Sequence, residues 1–278
     1  MSPVTQSDIT SFQLEGLLKT WNGAIREFYP EYAAEWSEPA QHLTAHDTKW
    51  NLIEAARDLD WPRLLPAGGR LKVLDLGCGT GWLSALLSRF DQVESIVALD
   101  ADSHNLDTML PEVCRALGAD MSKVKPTRGL FQPLPFEDGE LDLVVASSAV
   151  HHAQDIISLF IELRRVVKDD GLIIALNETP APNWNHIVRM GRSSLRVLAE
   201  NVTGRIRRFG PRISSLGLLY DPYLGDVAYS RKQWDFIFKS SGLTYEEQVS
   251  PYYPYKAKDS QSVRLTHFIC RKSAESPK

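Results

Sequence analysis

Val73-Leu74-Asp75-Leu76-Gly77-Cys78-Gly79-Thr80-Gly81 runs from a short apolar strand into a glycine-rich turn, and a helix-compatible stretch follows. Glycine reaches positive φ without a side-chain clash and lets the backbone come close to a ligand. The start of the next helix adds unpaired N–H groups and positive potential. Two readings compete for this turn. A dinucleotide fingerprint needs its third glycine three positions after the second. That position is Trp82, whose indole blocks close helix–strand packing. The sequence instead reads Asp-x-Gly-x-Gly-x-Gly, with a carboxylate two residues before the first glycine.

Strands and helices alternate outward from this turn. Helices are expected over Ser84–Phe90, Leu106–Leu117 and Ile156–Val167, the last stopped by Asp169-Asp170-Gly171. Strands are expected at Ser95–Leu99, Val124–Thr127, Leu141–Ala146 and Leu172–Leu176, with Pro126 marking an edge. Lys232–Ser240 reads as a helix, and Gly242–Val249 and Val263–Arg271 as strands. This rhythm argues βαβ units and a parallel sheet covered on both faces. Upstream, Leu14, Leu17, Leu18 and Trp21 recur at helical spacing, and another helix fits Lys49–Leu59. The 28–47 stretch, broken by Pro30 and Pro39, reads as loop with short helices. The expected organisation is a helical cap over 1–68, an α/β core over 69–179 and 231–272, a basic helical lid over 180–230, and a tail over 273–278.

The glycine turn resembles motif I of the class I S-adenosylmethionine-dependent methyltransferases, small-molecule type. Other landmarks of that family fit. Ala98-Leu99-Asp100 ends the second strand, where the family's acidic residue accepts from both ribose hydroxyls. Gly129-Leu130-Phe131-Gln132-Pro133-Leu134-Pro135-Phe136 resembles the family's G-D-A-x-x-L-P-F run, with Leu130 in place of the Asp that accepts from adenine. Leu163 to Gly171 matches the helix before the fifth strand. The resemblance implies a Rossmann-like, seven-stranded, mostly parallel sheet with an antiparallel last strand. It places S-adenosylmethionine along Asp75, Gly77, Cys78, Gly79, Gly81, Trp82, Asp100, Ala101, Gly129, Leu130, Phe131 and Ser147. Asp102 reads as a local helix cap.

On the acceptor side, Ser147-Ser148-Ala149-Val150-His151-His152 follows the fourth strand. It lacks the Asn/Asp-Pro-Pro-aromatic run of amino-methyltransferases. His152, and secondarily His151, could take a proton from a hydroxyl acceptor, since imidazole titrates near neutrality. The plainer reading is helix start or packing. His46 and His186 read as surface or packing histidines, and no His/Asp/Glu spacing suggests a metal. Residues 181–212 hold seven arginines (189, 192, 196, 205, 207, 208, 212) and one acid, Glu200, a local charge of +6 on an apolar helical stripe. Three readings stand: a grip on an anionic acceptor, a peripheral contact with anionic membrane, and a solvated face. Tyr220, Tyr223, Tyr229, Tyr252, Tyr253 and Tyr255 either line an acceptor cleft or form cap core.

The 278 residues, with 31 Lys+Arg against 35 Asp+Glu, carry a net charge of −4, which offers no general attraction to nucleic acid. No apolar run reaches the ~20 residues of a membrane span. Met1–Gln13 lacks an apolar signal core, and Cys78, Cys114 and Cys270 show neither disulfide nor zinc spacing. A cytoplasmic enzyme is expected. It would methylate a small-molecule or glycan-like acceptor, at oxygen. Two alternatives stand beside it: an inactive cofactor-binding subunit of the same fold, and a nicotinamide oxidoreductase, which Trp82 opposes.

Overall fold

In the computed structural model of the protein, the described residues are 27, 30–65, 68–182, 187–195, 212–213, 219–220, 226–254 and 263–274. The main sheet has seven strands: β1 (Leu71–Leu76), β2 (Val93–Asp100), β3 (Val124–Arg128), β4 (Leu141–Ser147), β5 (Val167–Glu178), β6 (Leu243–Val249) and β7 (Thr266–Lys272). Their order is β3-β2-β1-β4-β5-β7-β6. Strands β1 to β5 pair in parallel, and β7 runs antiparallel to both β5 and β6. The fold is therefore α/β, Rossmann-like, with the antiparallel last strand the sequence implies. Strand β3 lies at the edge, where Pro126 deprives no neighbour of a ladder bond.

Alternation along the strands sorts the core into two faces. Val73, Val145 and Ile174 point to one, Leu74, Val144 and Ile173 to the other. On the first face lie α5 (Trp82–Ser88), α6 (Leu110–Ala116) and residues Ile53, Ala56, Leu59, Trp61 and Leu64 of the N-terminal part. The second is covered by α7 (Ile156–Val166) and α8 (Arg231–Ser240), whose Phe160, Trp234 and Phe238 meet Phe268 of β7. Each of these two helices starts at a side-chain cap. Asp155 accepts from the Ile157 and Ser158 N–H groups, and Ser230 and Gln233 form a reciprocal capping box.

Three local boundaries differ from the sequence reading. Pro39 begins a helix rather than breaking one: α2 (Pro39–Thr44) starts at it, and Pro30 lies in α1 (Pro30–Glu35). Proline suits a first helical turn, where its missing N–H has no partner to lose. The helix expected over 49–59 is shorter, α3 (Leu52–Arg57), because Asn51 sits in the left-handed region at φ 56°. It is followed by α4 (Trp61–Leu64). Strand β5 already begins at Val167. Asp169-Asp170-Gly171 forms no separate turn but an irregularity inside the strand, between the Leu141–Val167 and Leu143–Leu172 pairings.

In the 180–230 segment, residues 187–195 are helical, and Arg212–Ile213, Leu219–Tyr220 and Val227–Ala228 form a small antiparallel ladder. Leu14 to Trp21, His186, Arg196, Arg205, Arg207, Arg208, Tyr223 and Tyr255 lie outside the described residues. All three cysteines are free and buried. Among the described residues, no helix is long and apolar enough to cross a membrane.

Candidate functional site

Strand β1 delivers the glycine turn to the carboxyl edge of the sheet, where ligands of open α/β sheets bind. Gly77, Gly79 and Gly81 all have positive φ, at 65°, 51° and 77°. Their surroundings differ. A Cβ on Gly77 would lie 2.9 Å from the Ala149 Cβ and 3.1 Å from the Phe131 ring. One on Gly81 would lie 2.6 Å from Leu110. One on Gly79 would meet nothing within 4 Å. The outer glycines are packed against protein, and the middle one faces open space.

Asp100, at the end of β2, is tied to this turn. Its Oδ2 accepts from the Gly79 N–H at 2.8 Å and its Oδ1 from the Asp102 N–H at 2.9 Å. Burial raises its pKa. A side-chain hydrogen bond from Asn105 takes a third acceptor position, and the carboxylate keeps capacity for a further donor such as a ribose hydroxyl. An open backbone turn beside a carboxylate fits the nucleoside and amino-acid ends of S-adenosylmethionine. Asp100→Ala should therefore weaken S-adenosylmethionine binding by roughly 1.5–3 kcal/mol, the cost of hydrogen bonds to a charged group. Calorimetry on the folded variant checks this, and unchanged affinity removes Asp100 from the site.

Several residues expected along the cofactor have other side-chain roles. Asp75 is 1% exposed and accepts from Ser84 Oγ at 2.6 Å, which ties β1 to α5. Burial raises its pKa to about 7. The Cys78 and Trp82 side chains are buried in the core, leaving only their backbone at the turn. Ser147 Oγ accepts from the Asn177 amide at 2.9 Å. Ala101 O accepts from Arg128 Nε, the Gly129 N–H donates to Asp100 O, and Leu130 and Phe131 are half-buried beyond it. Asp102 accepts from the His104 N–H, the local cap expected of it. His46, expected at the surface or in packing, is buried beside His42. The His42 Nε2 lies 2.6 Å from Thr80 Oγ1 of the glycine turn.

The chain after β4 turns directly off Gly77 through Ala149 into a short 3₁₀ turn, Val150–His152. His151 Nδ1 lies 2.9 Å from Oε2 of Glu178, which is 2% exposed at the end of β5. His151 Nε2 lies 3.7 Å from Asp226 Oδ1, and His152 Nδ1 lies 3.3 Å from the same oxygen. Burial pulls the His151 pKa down, but the Glu178 carboxylate overrides it and the net shift is upward, to about 9. Loss of water and the neighbouring His151 charge push His152 down to about 3. A histidine held so far below neutrality is a weak proton acceptor. Sequence reasoning missed Glu178 and Asp226. The carboxyl end of a strand was a signal for the first; no spacing pointed to the second, which the fold brings in from beyond the insertion.

Residues 74–175 match the family model of a methyltransferase domain. A demethylmenaquinone methyltransferase of Staphylococcus aureus is 32% identical over 113 residues, covering 40% of this chain and 44% of that protein. The chain thus spans less than half the length of the curated relatives it matches. Among solved structures, a S-adenosylmethionine-dependent methyltransferase of Leishmania major aligns with TM-score 0.58 and 18% identity over 93% of this chain and 86% of its own. One from Aquifex aeolicus aligns with TM-score 0.51 and 15% identity over 87% and 98%. These two alignments speak to the fold. Residues 74–175 thus resemble a methyltransferase domain set in a Rossmann-like fold.

Proposed function

We propose that the protein transfers a methyl group from S-adenosylmethionine to a hydroxyl oxygen of a small organic acceptor. The observation that carries this reading is the contact of Ala149 with Gly77. It sets the His151–His152 turn against the glycine turn, so a group on the acceptor side lies next to the cofactor side. The bound cofactor supplies a methyl already activated on a sulfonium. The protein's share is then mainly alignment, which contributes roughly 7–11 kcal/mol when two reactants are held in line. Gly79 and Asp100 hold the donor. His151 and His152 border the acceptor oxygen and position it for in-line attack on the methyl, and the hydroxyl's proton leaves to solvent. A relative named as a demethylmenaquinone methyltransferase supports a small-molecule acceptor.

The 180–230 segment supplies the acceptor's outer contacts in this reading. Arg189 and Arg192 are exposed on the 187–195 helix, next to exposed Ile187 and Leu195. The guanidiniums suit a carboxylate or phosphate on the acceptor. The test is S-adenosylhomocysteine release by the full chain with a panel of hydroxylated acceptors, neutral and anionic. The expected result is turnover that is faster for anionic members at low salt. The Arg189→Gln, Arg192→Gln double variant should raise the KM of anionic acceptors by about tenfold, less at high salt, because exposed pairs are screened over ~8–10 Å. Binding of S-adenosylmethionine without release against any acceptor would favour an inactive cofactor-binding subunit. Unchanged kinetics with weaker binding to anionic vesicles assigns the arginines to a membrane surface instead.

A further inference from the structure

One ligand atom each of His151, His152 and Asp226 lies within 4.8 Å of the other two, and His151 Nε2 and His152 Nδ1 are the ring nitrogens that face Asp226 Oδ1. We propose that these three atoms form a divalent-cation site of the zinc type, and that the acceptor's oxygen takes its open position. This deepens the methyl-transfer reading and rests on it for the position of the acceptor. Three observations support the site.

The first is spacing. Ligands of a tetrahedral zinc at ~2.0–2.1 Å lie about 3.3–3.4 Å apart. Asp226 Oδ1 is 3.3 Å from His152 Nδ1 and 3.7 Å from His151 Nε2. Three ligands with one position left open is the arrangement of catalytic rather than structural zinc.

The second is the support behind His151. Its other ring nitrogen, Nδ1, meets the Glu178 carboxylate at 2.9 Å. A metal-bound histidine characteristically donates its second N–H to a carboxylate, which fixes the ring and the tautomer. Here that bond leaves the Nε2 lone pair aimed at Asp226. Glu178 is 2% exposed, and its second oxygen, Oε1, is buried without a hydrogen-bond partner. A carboxylate left so incompletely satisfied is costly unless positive charge stands nearby; the His151 imidazolium supplies it in the free protein, and a cation on Nε2 would take that proton's place.

The third is donor chemistry. Two imidazoles and one carboxylate suit zinc, cobalt or iron and disfavour magnesium, which prefers oxygen ligands and its own waters. Two of the donors come from the turn after β4 and the third from the end of the insertion. The site therefore fastens the insertion to the core at the point where an acceptor enters. With the cation present, the histidine pair acts on the acceptor's hydroxyl through the metal, not by direct proton transfer.

The test titrates the full chain, freed of metal by chelator dialysis, with Zn²⁺, with Co²⁺ and with Mg²⁺ as a control. The expected result is one Zn²⁺ per chain, a Co²⁺ visible spectrum of low-symmetry intensity, and no competing Mg²⁺ binding. His152→Ala and Asp226→Asn should each weaken Zn²⁺ binding by roughly 100-fold or more. Glu178→Gln should weaken it about 10–100-fold, the usual effect of losing the carboxylate behind a metal-bound histidine. Circular dichroism and unchanged S-adenosylmethionine affinity confirm that the variants are folded. No stoichiometric binding, or binding that both ligand variants leave intact, overturns the proposal. Failure of the methyl-transfer reading shows separately, as metal binding without S-adenosylhomocysteine release. Release that resists chelation means that the histidines act on the acceptor directly, which also overturns the metal site.

Discussion

Lowering the pH from 7 to 5 should cost the folded protein about 2–3 kcal/mol, through buried histidines that the fold keeps neutral. His42, His46 and His267 are 1%, 6% and 0% exposed. Burial is the largest cause in each, and their pKa values fall to about 2, 4 and 4. The hydrogen bonds account for the neutral form. His267 Nδ1 accepts from the Asn177 N–H while Nε2 donates to Ala55 O, so a second proton would break the first bond. His46 donates from Nδ1 to His42 O and stacks on the His42 ring at 3.9 Å, so two charges would meet there. Among the described residues, the carboxylates that pull the other way are Glu35, near His46, and Asp58, near His267.

A histidine with a depressed folded pKa adds stability above its unfolded value of about 6.5 and loses it as pH falls. Between pH 7 and 5 each of the three costs roughly 2 kcal/mol. Asp75, raised to about 7, runs the opposite way: it gains roughly 2 kcal/mol over the same interval as the folded state takes up its proton. Asp100, also raised, adds to that gain. His151, raised to about 9, stays protonated in the folded state while the unfolded histidine takes up its proton only on acidification, so it gains somewhat less than about 1 kcal/mol over the interval; the partly exposed His152 adds a screened, smaller loss. The net direction is acid destabilisation. Urea unfolding at the two pH values checks it, and a midpoint equal or higher at pH 5 would sink the argument. His46→Phe should remove about a third of the histidine contribution while keeping a ring in the cluster with Trp36 and Trp82.

These histidines also show where the sequence was legible and where it was not. Strands β1, β2, β4 and β5 could be read because each carries a short, nearly continuous apolar run, as buried parallel strands need, while the polar β3 was legible as an edge through Pro126. The glycine turn and Asp100 could be read because their spacing is local. His42 and His46 could not: their helix reads as a broken aromatic stretch, and their burial depends on Thr80 and Trp82 of a distant turn. The same holds for the acceptor side. His151 and His152 stand out as a pair, but what they face is decided by Glu178 at the end of β5 and Asp226 beyond the insertion. Trp82 shows the converse. Its position rejects a dinucleotide turn, yet its side chain lies in the core against the N-terminal part and not along the cofactor.

The middle glycine of the turn should prove to be a ligand position and the last one a packing position, and two alanine variants separate them. At Gly81 the backbone sits at φ 77°, and a Cβ would lie 2.6 and 2.8 Å from the Leu110 side chain. Leu110 is fully buried among Leu83, Val113 and Cys114, so it has little room to give. Gly81→Ala should therefore lose about 2–4 kcal/mol of stability from overpacking and left-handed strain together. At Gly79 the strain alone remains, about 1–2 kcal/mol, because nothing lies within 4 Å of the added methyl. That methyl instead projects into the open space at the turn, while the Gly79 N–H on the same residue donates to Asp100 Oδ2. Gly79→Ala should stay folded and bind S-adenosylmethionine roughly 10–100-fold more weakly, since one misplaced contact costs ~1.4 kcal/mol per tenfold. Thermal unfolding and calorimetry on both variants give the two readouts. Full affinity in Gly79→Ala would take this turn off the cofactor. A Gly81→Ala variant as stable as its parent would mean that Leu110 yields, and that the close packing of α6 on the turn does not hold the turn's shape.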